Sequence, residues 1–251
     1  MALISKLRHV VQVNTFKVRN FTKVHYECPI CNYSGPFLDT NPPTGLRTSA
    51  FCPNCYSAER HRLQKLVLNE LFNNQDLSNK RMLHFAPEHF FQKYFKNKFQ
   101  TYTTADLYRD DVDVKADLTN LPFNDAEYDF IFASHVLEHI KDDLTAISEI
   151  RRVLKPNGIA ILPVPIVGVE TIEYPQPNPL EADHVRAPGF DYYDRYHKYF
   201  QNVKKYSSSD FPTKYQPFVN EDRSNAPTKE CPLRQPMAGE KHLEIVPICY
   251  V

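Results

Sequence analysis

The chain has 251 residues and balances 30 lysines and arginines against 30 aspartates and glutamates, so its formal net charge is zero. A neutral chain has no overall field that would draw it to nucleic acid, which favours a small or neutral partner. No apolar stretch is long enough to cross a membrane. Residues 1–21 are basic and carry only short apolar runs without a cleavage site, so we expect a docking helix or strand there, and a cytoplasmic protein.

Two cysteine pairs with the spacing C-P-x-C follow the N-terminal segment. Their thiols belong to Cys28, Cys31, Cys52 and Cys55. Each knuckle turns two thiolates toward one ion, and two knuckles complete a closed tetrahedral sulfur site. The spacing predicts a zinc ribbon with a structural metal, with disulfides or free thiols as the alternatives. Cys231 and Cys249 have no knuckle partner, and we expect them to be buried or bystander thiols.

The cysteine pairs mark a small module ahead of a longer domain. A loop-rich segment of this size buries little apolar surface, so metal binding would supply its folding free energy. We therefore divide the chain into an N-terminal arm and ribbon over residues 1–56 and a second domain over residues 57–251. Apolar residues at helical spacing from Leu63 to Leu71 predict a helix that joins the two parts.

Short apolar runs then predict the strands of a sheet. Lys80 to Phe85 forms the first, followed by a loop and a helix, and Thr101 to Asp106 forms the second. Residues 112–116 (VDVKA) are also typical of a strand. Because strands alternate with helical segments, the pattern favours an α/β domain.

A strand, a helix and a second strand follow over residues 128–164. Tyr128 to Ala133 and Ile159 to Val164 are buried strands, and Asp142 caps the helix between them. Such a unit has a right-handed crossover and binds ligands beyond the carboxyl ends of its strands. Ser134 and His135 would lie at that edge. For Glu138 and His139 just beyond it, we expect a structural role in hydrogen bonding.

Three motifs occur in order over residues 117–158: D-L-x-x-L-P-F, Y-D-x-I-x-x-S-H-V-L-E-H and R-V-L-K-P-x-G. Together they resemble the central half of a class I S-adenosylmethionine-dependent methyltransferase, of the type 11-like group, over about residues 80–166. The resemblance implies a Rossmann-like α/β sheet with helices on both faces. An H-F-A-P-E first loop, the cysteine ribbon and a later D-H-V-R are similar to a subgroup associated with glycan or secondary-metabolite pathways.

The resemblance assigns S-adenosylmethionine to residues near the carboxyl ends of the strands. They are His84, Ala86, Pro87, Glu88, Asp106, Leu107, Asp117, Leu118, Ser134 and His135. Asp106 would accept hydrogen bonds from the ribose hydroxyls. Asp117 matches the adenine-binding acid, and Leu118 would line the ring pocket. The first loop departs from the family, because it lacks the usual glycines and has His84 in place of an acid.

The D-H-V-R segment supplies the candidate catalytic groups. The sulfonium already activates the methyl group, so the enzyme needs to align a nucleophile and remove its proton. His184 is the predicted base, Asp183 would orient its ring, and Arg186 would hold an anionic or hydroxylated substrate. His135 is the second candidate base. A loop histidine that fixes backbone carbonyls is the alternative for His184.

The remaining segments surround the predicted substrate side. Insertions over residues 167–190 and 212–240 would contact substrate, the second as a lid or as a disordered insertion. Asp191 to Phe200 has helical apolar spacing, and His242 to Val251 is typical of a closing strand.

These features predict a methyltransferase that methylates a hydroxyl of a glycan, sugar or small molecule. An RNA methyltransferase with a zinc-ribbon substrate module is an alternative, because Arg60, Arg62 and Lys65 could contact phosphates. The other alternative is a zinc-dependent interaction module that has lost cofactor binding. A nicotinamide dehydrogenase is disfavoured, since no G-x-G-x-x-G follows a strand.

Overall fold

The structure, a computed structural model, describes residues 2–251. Its helices and strands are α1 (Ala2–Arg19), β1 (Tyr26–Glu27), β2 (Ser34–Gly35), β3 (Leu38–Thr40), β4 (Arg47–Phe51), α2 (Glu59–Leu71), β5 (Arg81–Phe85), α3 (His89–Phe95), β6 (Thr101–Asp106), β7 (Val114–Lys115), β8 (Tyr128–Ala133), α4 (Asp143–Val153), β9 (Leu154–Ile161), β10 (Ile172–Asn178), β11 (His184–Ala187), β12 (Asn202–Ser207), β13 (Val219–Asn220), β14 (Lys241–His242) and β15 (Ile245–Tyr250). Five 3-10 helices add Leu137–His139, Pro179–Glu181, Phe190–Lys198, Ser208–Asp210 and Thr213–Tyr215.

The chain separates into two compact units. Unit 1 contains the chain up to Leu71 together with Ser207–Asn225 and Ala238–Glu244. Unit 2 contains Phe72–Tyr206, Ala226–Met237 and Ile245–Val251. This grouping differs from the predicted division after residue 56, because α2 and two later segments group with the cysteines.

A buried arginine explains why α2 groups with the cysteine segment in unit 1. The guanidinium of Arg62 is fully buried and donates to the carbonyls of Ala50 (3.0 Å), Ser57 (2.7 Å) and Gln216 (2.7 Å). Charge-assisted hydrogen bonds to three separate stretches of chain join them into one body. Residue spacing alone predicted the helix but could not reveal these long-range acceptors.

Unit 2 is built on a seven-stranded sheet with the order β12-β15-β9-β8-β5-β6-β7. The strands β9, β8, β5, β6 and β7 are parallel to one another, and β15 pairs antiparallel with β9. Apolar side chains of β5, β8, β9 and α4 meet in one buried cluster, to which the tyrosines of the 3-10 helix Phe190–Lys198 also belong. The sheet confirms the predicted α/β class.

The central crossover unit largely follows its sequence pattern. β8 has the predicted bounds, and the Asp142 carboxylate accepts from the Thr145 amide at 3.1 Å, which caps α4. The next strand differs, because β9 begins at Leu154 and not at Ile159. Its register against β8 shifts between Tyr128 and Phe130, so residues 155–158 bulge out of the ladder. Residues 155–158 therefore interrupt a strand that has already begun at Leu154.

Later segments differ more from the patterns. Asp191 to Phe200 forms a 3-10 helix, Phe190–Lys198, with three buried tyrosines, Tyr192, Tyr193 and Tyr196. The predicted closing strand is split, because β14 pairs with β13 whereas β15 joins the large sheet. Residues 167–190 contain the antiparallel pair β10 and β11. Over residues 2–251, no helix combines the length and apolar character needed to span a bilayer.

Glu244 in unit 1 makes stability depend on pH. Burial raises the pKa of this carboxyl to about 7, although nearby Arg47 opposes the shift. Such a carboxyl keeps its proton in the folded protein at pH values where it has already lost it in the unfolded chain. Stability therefore falls as the pH rises from the pKa of the unfolded chain to the pKa of the folded protein. We expect the stability of Glu244→Gln, relative to the unmodified protein, to be higher at pH 8 than at pH 5. The difference should be at most about 3 kcal/mol. Urea unfolding of both proteins at both pH values measures this, and an equal difference at the two pH values would contradict it.

Candidate functional site

The first loop of unit 2 leaves β5 in a conformation that glycine usually supplies. Ala86 has φ +46°, and its amide donates to the Ala105 carbonyl at 3.0 Å, next to the end of β6. The left-handed turn is therefore present without glycine. Arg109 holds the same loop, because its Nη1 donates to the Pro87 carbonyl at 2.8 Å.

His84 lies beneath this loop and does not reach its surface. Its side chain is fully buried, with Nδ1 2.8 Å from the Tyr102 hydroxyl and Nε2 3.2 Å from Glu88 Oε2. Burial lowers the pKa of His84, while Glu88 opposes that shift. The predicted cofactor contact of His84 does not fit this position. The ring instead positions the partly exposed Glu88 carboxylate.

Asp106 and Asp117 each accept hydrogen bonds from residues of their own loops. Oδ1 of Asp106 accepts from the amides of Tyr108 (2.8 Å) and Arg109 (3.0 Å). Oδ1 of Asp117 accepts from the amide and the hydroxyl of Thr119, both at 2.8 Å. Within residues 2–251 the second oxygen, Oδ2, of each acid forms no hydrogen bond. Each carboxylate is thus oriented by its own loop and keeps one acceptor for a ligand. Leu107 is exposed beside Asp106, whereas Leu118 is buried in the core cluster.

The end of β8 lies beside the first loop. Phe85 and Ala133 are register partners in the parallel pair of β5 and β8, so the residues that follow them meet at one edge. Ser134 is buried, and His135 has φ +54° with its amide 2.9 Å from the Pro163 carbonyl. A bulky residue with positive φ is strained, and such strain is concentrated at functional sites.

Arg186 is buried rather than exposed to a substrate. Its side chain is 1% exposed, and its guanidinium donates to the carbonyls of Leu137 (2.7 Å), Ile140 (2.6 Å) and Lys141 (3.0 Å). Nε also lies 3.1 Å from both carboxylate oxygens of Glu173. The predicted substrate contact of Arg186 gains no support from this position. The side chain fastens β11 to the 3-10 helix Leu137–His139.

His184 lies near Glu138 and not near a partner in its own loop. Its Nε2 is 4.0 Å from Glu138 Oε1, and its ring is perpendicular to the His139 ring, with centroids 4.8 Å apart. Asp183 is exposed with φ +60° and makes no hydrogen bond to the ring. Burial lowers the pKa of His184 to about 4, although Glu138 opposes the shift. A neutral imidazole of such low basicity is a weak general base at pH 7.

Sequence reasoning missed the group formed by Glu138, His139 and His184. One ligand atom from each lies within 4.8 Å of the others. His135 belongs to the same neighbourhood, since its Nδ1 is 3.4 Å from Glu138 Oε1. The spacing H-x-x-E-H was visible in the sequence, but only β11 brings the third member, His184.

The four cysteines of unit 1 form a compact cluster. The Sγ atoms of Cys28 and Cys55 are 3.6 Å apart, as are those of Cys31 and Cys52, far longer than a disulfide of about 2.05 Å. The two knuckles repeat one geometry. Asn32 and Tyr56 follow with φ +59° and +57°, and their amides donate to the Cys28 and Cys52 carbonyls. Four sulfurs on one tetrahedral zinc ion would lie about 3.8 Å apart, so the cluster fits such an ion.

Part of the chain is similar to known methyltransferases. Residues 79–162 match the family model described as a methyltransferase domain. This stretch is similar to a methyltransferase domain and covers about a third of the chain. A 48-residue stretch is 42% identical to a demethylmenaquinone methyltransferase of Staphylococcus carnosus and covers 19% of this chain. The chain therefore spans about a fifth (20%) of the length of that curated relative.

One solved structure shares the fold at low sequence identity, and a second is less similar. Phosphoethanolamine N-methyltransferase 2 of Haemonchus contortus, in complex with phosphomonomethylethanolamine and S-adenosylhomocysteine, has a TM-score of 0.50 and 15% identity. The match covers 74% of this chain and 52% of that one. An S-adenosylmethionine-dependent methyltransferase from Mesorhizobium loti has a TM-score of 0.48 and 12% identity, over 74% and 97% of the two chains. The fold of unit 2 is the Rossmann-like methyltransferase fold.

The burial of Arg186 generates a stability prediction. Arg186→Met leaves the carboxylate of the buried Asp143, 3.4 Å away, with one cationic neighbour fewer, and it removes the donor to three carbonyls, of which that of Leu137 is buried. We expect unfolding to become easier by about 3–5 kcal/mol in denaturant titration. Lys198→Met, an exposed charge removal in the same unit, should change stability by less than about 0.5 kcal/mol. Equal effects of the two substitutions would contradict the fastening role.

Proposed function

We propose that the chain is an S-adenosylmethionine-dependent methyltransferase that methylates a hydroxyl of a small molecule, sugar or glycan. One observation carries the proposal. The loops that follow β5, β6, β7 and β8 lie at one edge of the parallel strands, with Asp106 and Asp117 each keeping one oriented carboxylate oxygen. Ligands of open parallel sheets bind at this edge.

In this proposal the donor is held by residues at the ends of four strands, β5 to β8. Oδ2 of Asp106 accepts from the ribose, and Oδ2 of Asp117 accepts from the exocyclic amine of adenine. The turn of Ala86 and Pro87, with Glu88 oriented by His84, faces the methionine part. Ser134 and His135 lie on the other side of it. The exposed Leu107 can pack on the adenosine, whereas the burial of Leu118 limits it to a supporting role.

The reaction itself asks little of acid and base groups. The acceptor oxygen forms the new C–O bond, the bond from the methyl carbon to sulfur breaks, and the sulfur keeps the electron pair as a neutral thioether. The hydroxyl proton leaves to a base or to water. Alignment of oxygen, methyl and sulfur accounts for most of the acceleration. His184 and His135 remain the candidate bases of this proposal, although burial makes His184 a weak one.

We also propose that the cysteine cluster of unit 1 holds a structural zinc ion. The support is the pair of repeated knuckles and the sulfur separations of 3.6 Å, close to the edge of a zinc–thiolate tetrahedron. Four protein sulfurs leave no position for water, so the ion would stabilise unit 1 and take no part in methyl transfer. The ribbon would make the chain a member of the subgroup that it resembles.

Donor binding at Asp106 is the first test of the methyltransferase proposal. Asp106→Asn keeps Oδ1 for the Tyr108 and Arg109 amides but turns the second acceptor into a donor. We expect S-adenosylmethionine affinity, measured by calorimetry, to fall by about ten- to a hundredfold, as loss of a charged hydrogen bond costs about 1.5–3 kcal/mol. Asp110→Asn, an exposed change in the same loop, should leave affinity unchanged. No binding by the unmodified protein, or equal binding by Asp106→Asn, would refute the proposal.

Metal content tests the zinc proposal. Cys31→Ser should lower bound zinc by about one equivalent per chain, measured by mass spectrometry of the metal, because one thiolate of four is lost. It should also lower the unfolding temperature, since metal binding supplies folding free energy to a small loop-rich module. Cys231→Ser, which alters a buried cysteine outside the cluster, is the matched control and should retain the metal. Zinc retained by both variants would count against the site.

A further inference from the structure

Three polar side chains converge where β11 meets the 3-10 helix Leu137–His139. Glu138 and His139 belong to that helix, and His184 is the first residue of β11. One nitrogen or oxygen atom from each lies within 4.8 Å of the others. Glu138 is completely buried, His184 is partly buried and His139 is exposed. The group therefore closes on the inner side and opens toward solvent.

The convergence depends on the alternation of β11. His184 and Arg186 are two residues apart in the strand, so their side chains lie on the same face. Arg186 binds the carbonyls of Leu137, Ile140 and Lys141, which flank Glu138 and His139 in the chain. This fixes His184 opposite those two side chains. The arrangement is thus built by a fully buried guanidinium and does not arise from a chance meeting of surface groups.

The separation of Glu138 and His184 suits two ligands of one ion. Glu138 Oε1 lies 4.0 Å from His184 Nε2, whereas an N–H···O hydrogen bond is usually about 2.7–3.2 Å long. Nitrogen and oxygen ligands that share an ion at about 2.1 Å lie about 3.0–4.2 Å apart. The perpendicular rings of His139 and His184 can each direct a nitrogen to one point. Stacked rings could not do so.

We propose that Glu138, His139 and His184 bind one divalent transition-metal ion, beside His135. Two imidazoles and a carboxylate suit Zn²⁺, Mn²⁺, Fe²⁺ or Co²⁺. Three protein ligands leave coordination positions for substrate, as in catalytic and not structural sites. The site begins four residues after Ser134, beyond the end of β8, where the proposed function places the methionine part of the donor. It would take an acceptor that offers an oxygen ligand, such as an alcohol or a diol.

The ion would act on the acceptor, and this part rests on the proposed function. An acceptor hydroxyl bound to a divalent ion loses its proton to water more readily, because the ion stabilises the alkoxide. That oxygen then forms the bond to the methyl carbon, the carbon–sulfur bond breaks, and the sulfur departs as a thioether with its electron pair. Methyl ether, thioether and one proton balance the starting alcohol and sulfonium. In this role His184 is a ligand and not a base.

The test uses Mn²⁺ and the full chain with zinc kept in the cysteine cluster. Thiolate sites favour zinc over Mn²⁺, so Mn²⁺ reports on the nitrogen and oxygen site. Electron paramagnetic resonance of free Mn²⁺ should show one ion bound per chain. His139→Ala, His184→Ala and Glu138→Gln should each weaken binding by about tenfold or more. His139 is exposed, so its removal does not disturb a core.

His197→Ala is the matched control, because His197 is an exposed histidine of unit 2 outside the group, and it should bind Mn²⁺ as the unmodified protein does. The inference is overturned if the unmodified protein binds neither Mn²⁺ nor Co²⁺ at millimolar concentration, or if His139→Ala and His184→Ala bind Mn²⁺ unchanged. Calorimetry with S-adenosylmethionine separates the two proposals. Donor binding without Mn²⁺ binding defeats the metal site alone, whereas Mn²⁺ binding without donor binding defeats only the methyltransferase proposal.

Discussion

The hydrogen bonds of the Arg186 guanidinium are the constraint on which the arrangement of β10, β11 and the 3-10 helix Leu137–His139 depends. Arg186 is taken out of water completely, so its charge needs partners, and it obtains them from Glu173, Asp143 and three backbone carbonyls. Arg195 reaches the same two carboxylates at 2.6 and 2.5 Å. A network of this kind tolerates few arrangements of the chain. It therefore fixes the order of β10, β11 and the helix that follows β8.

The loops that follow β5 and β8 depend on backbone conformation rather than on charge. Ala86 and His135 both adopt left-handed backbone angles, directly beyond the ends of two adjacent parallel strands. Each turn costs energy for a residue with a side chain. The neighbouring carbonyls of Ala105 and Pro163 accept from their amides and hold both turns. A glycine-poor chain thus produces turns that glycine usually allows.

The sequence predicted elements whose cause is local, and it missed contacts whose cause is distant. β8, β6 and the Asp142 cap follow from apolar runs and from a side chain three residues from its partner. The bulge before Ile159 needed the register with β8. Asp183 was the predicted partner of His184 because it is adjacent, yet Glu138 takes that place from 46 residues away. The burial of Arg186 could not be inferred from a motif that is typical of a loop. Motif resemblance predicted residues near the ends of the parallel strands, but not the contacts around His184 and Arg186.

The division of the chain into units has a consequence for how such a protein can evolve. Unit 1 is assembled from three stretches of chain, and the later two are interleaved with strands of the catalytic sheet. A continuous segment that carried the cysteine knuckles and α2 into another chain would leave Gln216 behind, and Arg62 would lose that acceptor. Exchange of the knuckles without α2 would instead replace Ala50, another acceptor of Arg62. We therefore expect the cysteine segment and the sheet to be inherited together.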